Sequence, residues 1–527
     1  MKSRAKQIFW NAILLSAAAL LIRTVGVSFQ VYISNRAGAE AMGLFSLLSG
    51  VYGFALTLAT SGVHLGVTRL VVDAIGEGKR EKVPRAMRRA TVYALIFGLA
   101  ASLLLFSFSE VIGIDWLKDA RTVKSLRLLS FTLPFIALSS AWGGYFTAVR
   151  RPYKNAAVQV LEQAIKIFAT MYLLTFLVGG GVEETCCALV LGGTVAETLS
   201  FLADLILYLC DKKKSFPKAR SEGGGDGRKF LSITIPIALT TYVRSALLTL
   251  QHILIPEGLR NSGVSHSAAL IAYGSIQSMA LPIILYPAAL ISSFSGLLVP
   301  ELAESEVKKE RIHISYMIRR VWSLALIFSI GVAGILICFS AELGEVLYPN
   351  TDAGKYIRIL APLVPIMYVD TATDAMMKGL GEQVYSMKIN IADALISVIL
   401  VWLLIPRYGI GGYLFAVYLS EFFNTVCSIT HLLSISNTAV HPIKWVYKPL
   451  FCIVLSTVLA RLFWSIPVFR LASSPLSLVL HCTSVLFLYV LLLRITSGID
   501  KEDALWIKGL LTPPTHNGWW KRARKCD

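Results

Sequence analysis

The sequence predicts an all-α polytopic membrane protein of about fourteen transmembrane helices, two six-helix pseudo-symmetric lobes plus two C-terminal helices. Three observations predict it. Of 527 residues, 55% are hydrophobic and 16% charged, with a mean hydropathy of +0.65. Apolar runs of roughly 20 residues, the length a helix needs to cross a bilayer, recur along nearly the whole chain. The chain also repeats itself at an offset of 231 residues. Arg88-Arg89 return as Arg319-Arg320 and Ala94-Leu95-Ile96-Phe97 as Ala325-Leu326-Ile327-Phe328. Without a gap the register then pairs Phe108-Ser109 with Phe339-Ser340, Gly113 with Gly344, Arg127 with Arg358 and Pro134 with Pro365. From Arg88 to Ala141 there are about 15 identities in roughly 54 positions, against about 4 expected by chance.

The apolar runs lie near 8–33, 43–72, 90–112, 126–148, 156–178, 185–209, 230–255, 267–299, 321–341, 356–377, 386–405, 411–435, 446–466 and 475–494. They lack the two-residue alternation of a membrane barrel, which leaves helices as the spanning form. Residues 211–228, DKKKSFPKARSEGGGDGR, form the one polar, glycine-rich stretch of the chain interior and read as a linker. The expected organisation is a six-helix lobe over 1–210, a cytoplasmic linker over 211–228 and a second six-helix lobe over 229–440. Two extra helices over 441–500 and a basic tail over 501–527 complete it. An even number of spans per lobe gives both the same orientation, so the repeats are parallel rather than inverted.

The net charge of +18 invites a nucleic-acid reading, but the placement of the charges opposes it. With a cytoplasmic N-terminus and alternating spans, roughly 35 of the 50 Lys and Arg residues fall on inner segments. That bias puts both termini on the cytoplasmic side of a bacterial cell membrane and makes anionic lipid a natural neighbour. The eight cysteines are scattered without a metal-ligand spacing and read as small packing residues. No P-loop, dinucleotide fingerprint, HExxH or GxSxG motif is present, so the chain is expected to be no enzyme, with no cofactor and no metal.

Charges inside spans carry the chemistry. Arg23 lies deep in the first span and Arg244 deep in the seventh, at equivalent places related by an offset of 221. Gln30 and Gln251 follow at the same offset, two turns on along the same face. A guanidinium at that depth costs roughly 2.5–3.5 kcal/mol on insertion scales and faces a polar cavity or a partner. Two of them suit a diphosphate, whose oxygens match the donor fork; an intramembrane ion pair is the alternative. Arg69, at the end of the second span, reads as a cavity-mouth residue or a snorkelling one. Four acids are candidates for ion coupling: Asp370 and Asp374 on one helix face, and Glu162 with Asp393, repeat mates at 231. Glu197 and Glu421 are a further repeat pair once a shorter loop is allowed in the second lobe, and Lys166 stands four residues after Glu162. Polar packing is the alternative for each of these acids.

Residues 33–71 carry Gly38-Ala39-Glu40, Met42-Gly43-Leu44, Thr57-Leu58-Ala59-Thr60-Ser61-Gly62 and Arg69-Leu70-Val71; Pro406 and Tyr408-Gly409-Ile410-Gly411-Gly412 follow the eleventh span. With these elements the chain resembles the stage V sporulation protein B-like family. Its members are polysaccharide-biosynthesis and lipid II flippase proteins of the multidrug/oligosaccharidyl-lipid/polysaccharide exporter superfamily. The resemblance implies alternating-access transport of an undecaprenyl-diphosphate-linked sugar or peptidoglycan precursor to the outer leaflet, for cell-wall or spore-cortex synthesis. It implies arginines lining the cavity, with Arg23 matching the first-helix arginine and Arg244 its repeat mate, and a groove for the lipid tail along the last two helices. At Gln30 the chain departs from relatives that carry a second basic residue there. Two other readings stay open: an ion-coupled multidrug exporter of the same superfamily, and a membrane scaffold for cell-wall synthases. Expected partners are the lipid-linked diphosphate sugar, membrane lipids, a coupling cation and cell-wall synthases, with no nucleic acid.

Overall fold

In hydrocarbon every backbone N–H and C=O must be satisfied within the chain, and helices achieve this locally. The computed structural model describes residues 2–78, 83–177, 181–215, 226–349, 351–436, 438, 442–465 and 475–498, and no strand occurs among them. The helices are α1 (Lys2–Thr60), α2 (Val63–Gly76), α3 (Val83–Ser107), α4 (Thr122–Ser130), α5 (Leu133–Ala148), α6 (Pro152–Leu177), α7 (Val182–Ser215), α8 (Asp226–Asn261) and α9 (His266–Gly274). They continue with α10 (Leu281–Leu285), α11 (Ala288–Val307), α12 (Arg311–Cys338), α13 (Ser340–Leu347), α14 (Ala353–Leu360), α15 (Val364–Gly379), α16 (Gln383–Ser436), α17 (Lys448–Ser465) and α18 (Pro475–Ile495). Among the described residues, nine helices are long and apolar enough to cross a membrane, ten if the bent pair α4–α5 counts as one span. This is fewer than the fourteen expected. Part of the difference is fusion: α16 is 54 residues long, about 80 Å at 1.5 Å per residue, against a hydrocarbon core of about 30 Å. Gly409, at φ 57° and ψ −136°, kinks it, as Gly38, at φ 80°, kinks α1; both backbones lie where a Cβ is disfavoured. Of the expected linker, 211–215 continue α7 and 226–228 begin α8, while 216–225 lie outside the described residues, as does the tail 501–527.

The repeat is legible in the helix ends. Adding 231 to the bounds of α5 gives those of α15, and the same shift carries the start of α6 onto the start of α16 and the end of α3 onto the end of α12. Ser109 Oγ donates to the Phe106 carbonyl and Ser340 Oγ to the Ile337 carbonyl, the same bond one repeat apart. Gly113 abuts Thr122 and Val123 as Gly344 abuts Ala353 and Gly354. Pro134 and Pro365 occupy the first turns of α5 and α15, where proline is tolerated, and α5 leaves α4 at a bend of 41°. The shorter connection in the second half is the Gly409 kink, which replaces the break between α6 and α7.

The chain forms two compact units whose limits differ from the halves of the repeat. The first contains Met1–Val27, Met279–Asp393 and Val417–Asp527. Here α17 and α18 pack on α12: Ile327, Ile330, Cys452, Ile453, Val485, Tyr489 and Leu493 are all buried together. Gly331 and Gly334 let Tyr489 and Ile453 approach the α12 backbone, and Tyr489 Oη donates to the Ile327 carbonyl at 2.7 Å. The second unit contains Ser28–Ser278 and Ala394–Ala416. In it the part of α1 after Gly38 lies backbone to backbone with α9: a Cβ on Gly43 would meet the Leu270 carbonyl at 2.1 Å, and one on Gly274 the Ala39 carbonyl at 2.3 Å. Such small-residue crossings are how helices associate in lipid, where no hydrophobic drive separates helix from solvent.

Above that crossing the turn after α3 holds Asp119, whose side chain is 4% exposed, in a bidentate grip by Arg121. Burial raises the Asp119 carboxyl, but hydrogen bonds from Arg121 and His266 outweigh it and hold it below its ordinary value of 3.8. A depressed carboxylate contributes stability that is full above its unfolded value and is lost as pH falls through the folded one.

Two outcomes follow for purified protein. Gly274→Val must force the α1–α9 crossing apart and is expected to cost about 1–3 kcal/mol, the usual range for overpacking. Gly53→Ala, with open space around it, serves as a neutral control, and thermal unfolding in detergent reads both. Asp119→Asn is expected to unfold at lower temperature than the parent by a constant margin down to about pH 5. The margin closes below pH 3.8 as the parent's own carboxylate is protonated.

Candidate functional site

In the first unit Arg23 meets a broken helix. Pro287 has no N–H and separates α10 from α11. The Ala289 amide, which a continuous helix would direct at the Leu285 carbonyl, bonds the Tyr286 carbonyl instead. The freed Leu285 carbonyl accepts from Arg23 Nη2 at 2.9 Å. Tyr368 on α15 splints the same break: its hydroxyl donates to the Ile284 carbonyl at 2.7 Å and accepts from the Ala288 amide. Thr24 Oγ1 and Tyr286 Oη lie 2.9 Å apart alongside. Arg23 is exposed and pairs with no carboxylate among the described residues, and the Leu285 carbonyl takes one of its five donors. Nothing in the sequence ties Arg23 to this break; Thr24, Tyr286 and Tyr368 are additions from the structure.

Arg244 and Arg69 belong to the second unit, where both are exposed and neither has an ion-pair or hydrogen-bond partner among the described residues. The α8 face around Arg244 is tied to α1 through Tyr242 to the Leu58 carbonyl (3.3 Å), Ser245 to Thr57 (3.0 Å) and Thr249 to the Gly50 carbonyl (2.8 Å). Gln30 donates to the Ser278 carbonyl at 3.3 Å, and Gln251 is half-buried on α8. Arg23 and Gln30, neighbours on one helix, thus fall in different compact units.

The acids sort by unit. In the second, Glu162 on α6 and Glu197 on α7 are electrostatic neighbours, with Lys166 close by but not in direct contact. Asp204, one turn pair further along α7, is buried beside the stacked rings of Trp142, Phe201 and Tyr208. In the first, Asp370 and Asp393 are the neighbours of Glu421. Asn424 donates to Asp370 at 3.0 Å and Ser420 donates to Asp393. The repeat mates Glu162/Asp393 and Glu197/Glu421 therefore form corresponding pairs, one in each unit. Asp374 has other company: Lys378 at 3.2 Å and the hydroxyl of Ser386. Asp370 and Asp374 share the helix α15. Among the described residues no group of three or more His, Cys, Asp or Glu is placed to hold a metal ion, and the seven described cysteines are free.

Known proteins share this architecture. Stage V sporulation protein B of Bacillus subtilis (strain 168) is 25% identical over 415 residues, covering 77% of this chain and 80% of its own. Lipid II flippase MurJ of the same organism is 22% identical over 427 residues, 75% of this chain and 77% of that one. Among solved structures, lipid II flippase MurJ in an inward closed conformation superposes with a TM-score of 0.70 at 15% identity, over 92% of this chain and 98% of that one, a likeness of fold. The lipid II flippases among them are named for transport rather than for an enzyme activity. The polysaccharide biosynthesis protein family model matches residues 8–289. This chain, a multi-pass membrane protein, belongs to that family.

Proposed function

We propose that the protein is a flippase that moves an undecaprenyl-diphosphate-linked oligosaccharide or peptidoglycan precursor across the cytoplasmic membrane, with both termini in the cytoplasm. The observation that carries this reading is Arg23: a guanidinium deep in a span, steadied by a carbonyl at a helix break, with its remaining donors unclaimed by any described acid. A guanidinium held in this way can bind a diphosphate through parallel charge-assisted hydrogen bonds. Arg244, its repeat mate, is assigned to substrate binding on the sequence reading alone, as are Arg69, Gln30 and Gln251. Relatives named for sporulation and for lipid II flipping support this substrate class. The α17–α18 pair, packed on α12 by one face and carrying exposed Phe451, Val454, Leu462 and Phe487, suits a long prenyl tail.

The carboxylate pairs Glu162/Glu197 and Asp393/Glu421 are assigned to cation or proton coupling, because neighbouring carboxylates in an apolar bundle share a positive charge. The same acids, with the Trp142 stack, favour a second reading as an ion-coupled exporter of organic cations, since aromatic faces and carboxylates both attract cations.

Translocation of a fluorescent lipid-linked diphosphate sugar in reconstituted vesicles separates the two. Arg23→Ala with Arg244→Ala is expected to slow flipping about tenfold or more, each charge-assisted phosphate contact contributing on the order of 1.5–3 kcal/mol. Arg23→Lys is expected to recover only part of the rate, because a point charge lacks the fork. Full-rate flipping by the folded double variant rejects the arginine site. Transport of an organic cation with no precursor movement selects the second reading.

A further inference from the structure

In the second unit α5 and α7 meet along a seam of polar rungs. Asp204 on α7 is 4% exposed; one carboxylate oxygen accepts from Ser139 of α5, and the other, Oδ1, has no partner. One turn along α5 the indole Nε1 of Trp142, also buried, has no partner either, and its ring stacks on those of Phe201 and Tyr208. A further turn on, Tyr145 packs edge to face on Tyr208, and its hydroxyl donates to Asp211 Oδ2 at 2.8 Å. Asp211 also pairs with Arg151 and Lys154, around the start of α6. At the other end of the seam Glu162 is the electrostatic neighbour of both Asp204 and Glu197. Asp204 lies about 10 Å along the helix from Asp211, and Glu197 about 10 Å further in.

Packing alone does not call for these residues, because the second half of the repeat makes the same seam without them. At the offset of 231 that carries α5 onto α15, Trp142 corresponds to Thr373 and Tyr145 to Met376. At the offset of 224 that carries Glu197 onto Glu421, Asp204, Tyr208 and Asp211 correspond to Ser428, Leu432 and Ile435. The second half keeps a carboxylate at the middle rung, Asp370 standing where Ser139 does, but none of the corresponding rungs beyond it is an acid or a tyrosine. In the first half every rung can hold or pass a proton or a water. The bare Asp204 oxygen and the bare Trp142 N–H are costly to leave unmade. One water molecule can serve both, accepting from the indole and donating to the carboxylate.

We propose that this seam is the route by which a coupling proton leaves for the cytoplasm, with Asp204 as its internal carrier. The inner end rests on the assignment of Glu162 and Glu197 to coupling in the flippase reading, and the outlet on the orientation that puts the end of α7 inside. The carboxylate pair passes a proton to Asp204. Asp204 gives it, through a water molecule between its bare oxygen and the Trp142 indole, to the Tyr145 hydroxyl oxygen. Tyr145 in the same step gives its own hydroxyl proton to Asp211 Oδ2 along the bond it already makes. Only O–H bonds form and break, Tyr145 ends as it began, and Asp204 is left as a carboxylate for the next proton. The direction follows from the geometry, since an ion-paired carboxylate only accepts and Tyr145 must donate to it. Arg151 and Lys154 already satisfy Asp211, so the proton passes on to water. An inside-negative potential drives a cation the same way, which lets inward proton movement be exchanged for outward movement of a headgroup.

The test uses full-length protein. Without substrate, infrared difference spectra between acid and neutral pH are expected to contain a carboxyl C=O band that Asp204→Asn removes. After a jump from acid to neutral pH, loss of that band is expected to slow about tenfold or more in Tyr145→Phe, which lacks the relaying hydroxyl. Tyr413→Phe, at a buried tyrosine outside the seam that bonds Gln277, is expected to keep the parent's rate. With the fluorescent lipid-linked diphosphate sugar in vesicles, an inward proton gradient is expected to accelerate flipping by the parent, and Tyr145→Phe to lose most of that acceleration. The route is overturned if Asp204→Asn leaves the spectrum unchanged, if Tyr145→Phe loses the band at the parent's rate, or if flipping by the parent ignores the gradient. A parent that moves no precursor, with the Asp204 band and its dependence on Tyr145 intact, rejects the flippase reading and leaves the route standing.

Discussion

A charge inside an apolar bundle must find a partner, a cavity or water, and the polar architecture of this protein follows from that constraint. The cost of an unmatched charge is several kcal/mol in hydrocarbon-like surroundings. The chain meets it in three ways. Asp119 and Arg121 neutralise each other within one turn. Asp211, at the end of α7, draws in Arg151, Lys154 and the Tyr145 hydroxyl. Arg23 instead takes a carbonyl freed by a helix break, a neutral partner that steadies the guanidinium without cancelling its charge. In the third arrangement no described carboxylate offsets the guanidinium's charge.

The repeat shows which features the fold depends on. Helix ends, the serine bonds at Ser109 and Ser340 and the glycine contacts at Gly113 and Gly344 survive duplication because they fix backbone geometry, where a shift of an ångström is felt throughout a close-packed bundle. Charges are less constrained. Arg151, which pairs with Asp211, corresponds at an offset of 231 to Glu382, which pairs with His431 at the end of α16. At both places the residue before a helix meets a polar side chain near the end of the following span, a cation in the first half and a carboxylate in the second.

This difference explains what the sequence revealed. Hydropathy and the repeat located the helices and paired Glu162 with Asp393 and Glu197 with Glu421, because spans and repeat mates are periodic properties of the chain. The partners of Arg23 were not legible: Leu285 contributes a backbone carbonyl, which no residue type announces, and Tyr368 reaches it from a helix remote in sequence. The joint of Asp119 with His266 was hidden for the same reason, its members being 147 positions apart and outside the spans where charges stand out. Part of the difference in span count arises because Gly38 and Gly409 bend α1 and α16 without ending them, so that hydropathy and helix boundaries measure different things.

For a flippase, the number of guanidiniums facing the headgroup also sets the electrical work of transport. An inside-negative potential drives anions outward, and each elementary charge crossing 100 mV changes the energy by roughly 2.3 kcal/mol. A diphosphate escorted by arginines that travel with it through the field carries less net charge and gains less from the potential. Arginines that stay fixed while the headgroup passes leave the full charge to be driven. Arg23 is tied to the backbone at a helix break, so its position follows that of α10 and α11 rather than a flexible side chain alone. On the flippase reading proposed above, the uncharged Gln30 adds nothing to the compensation that Arg23 offers the headgroup.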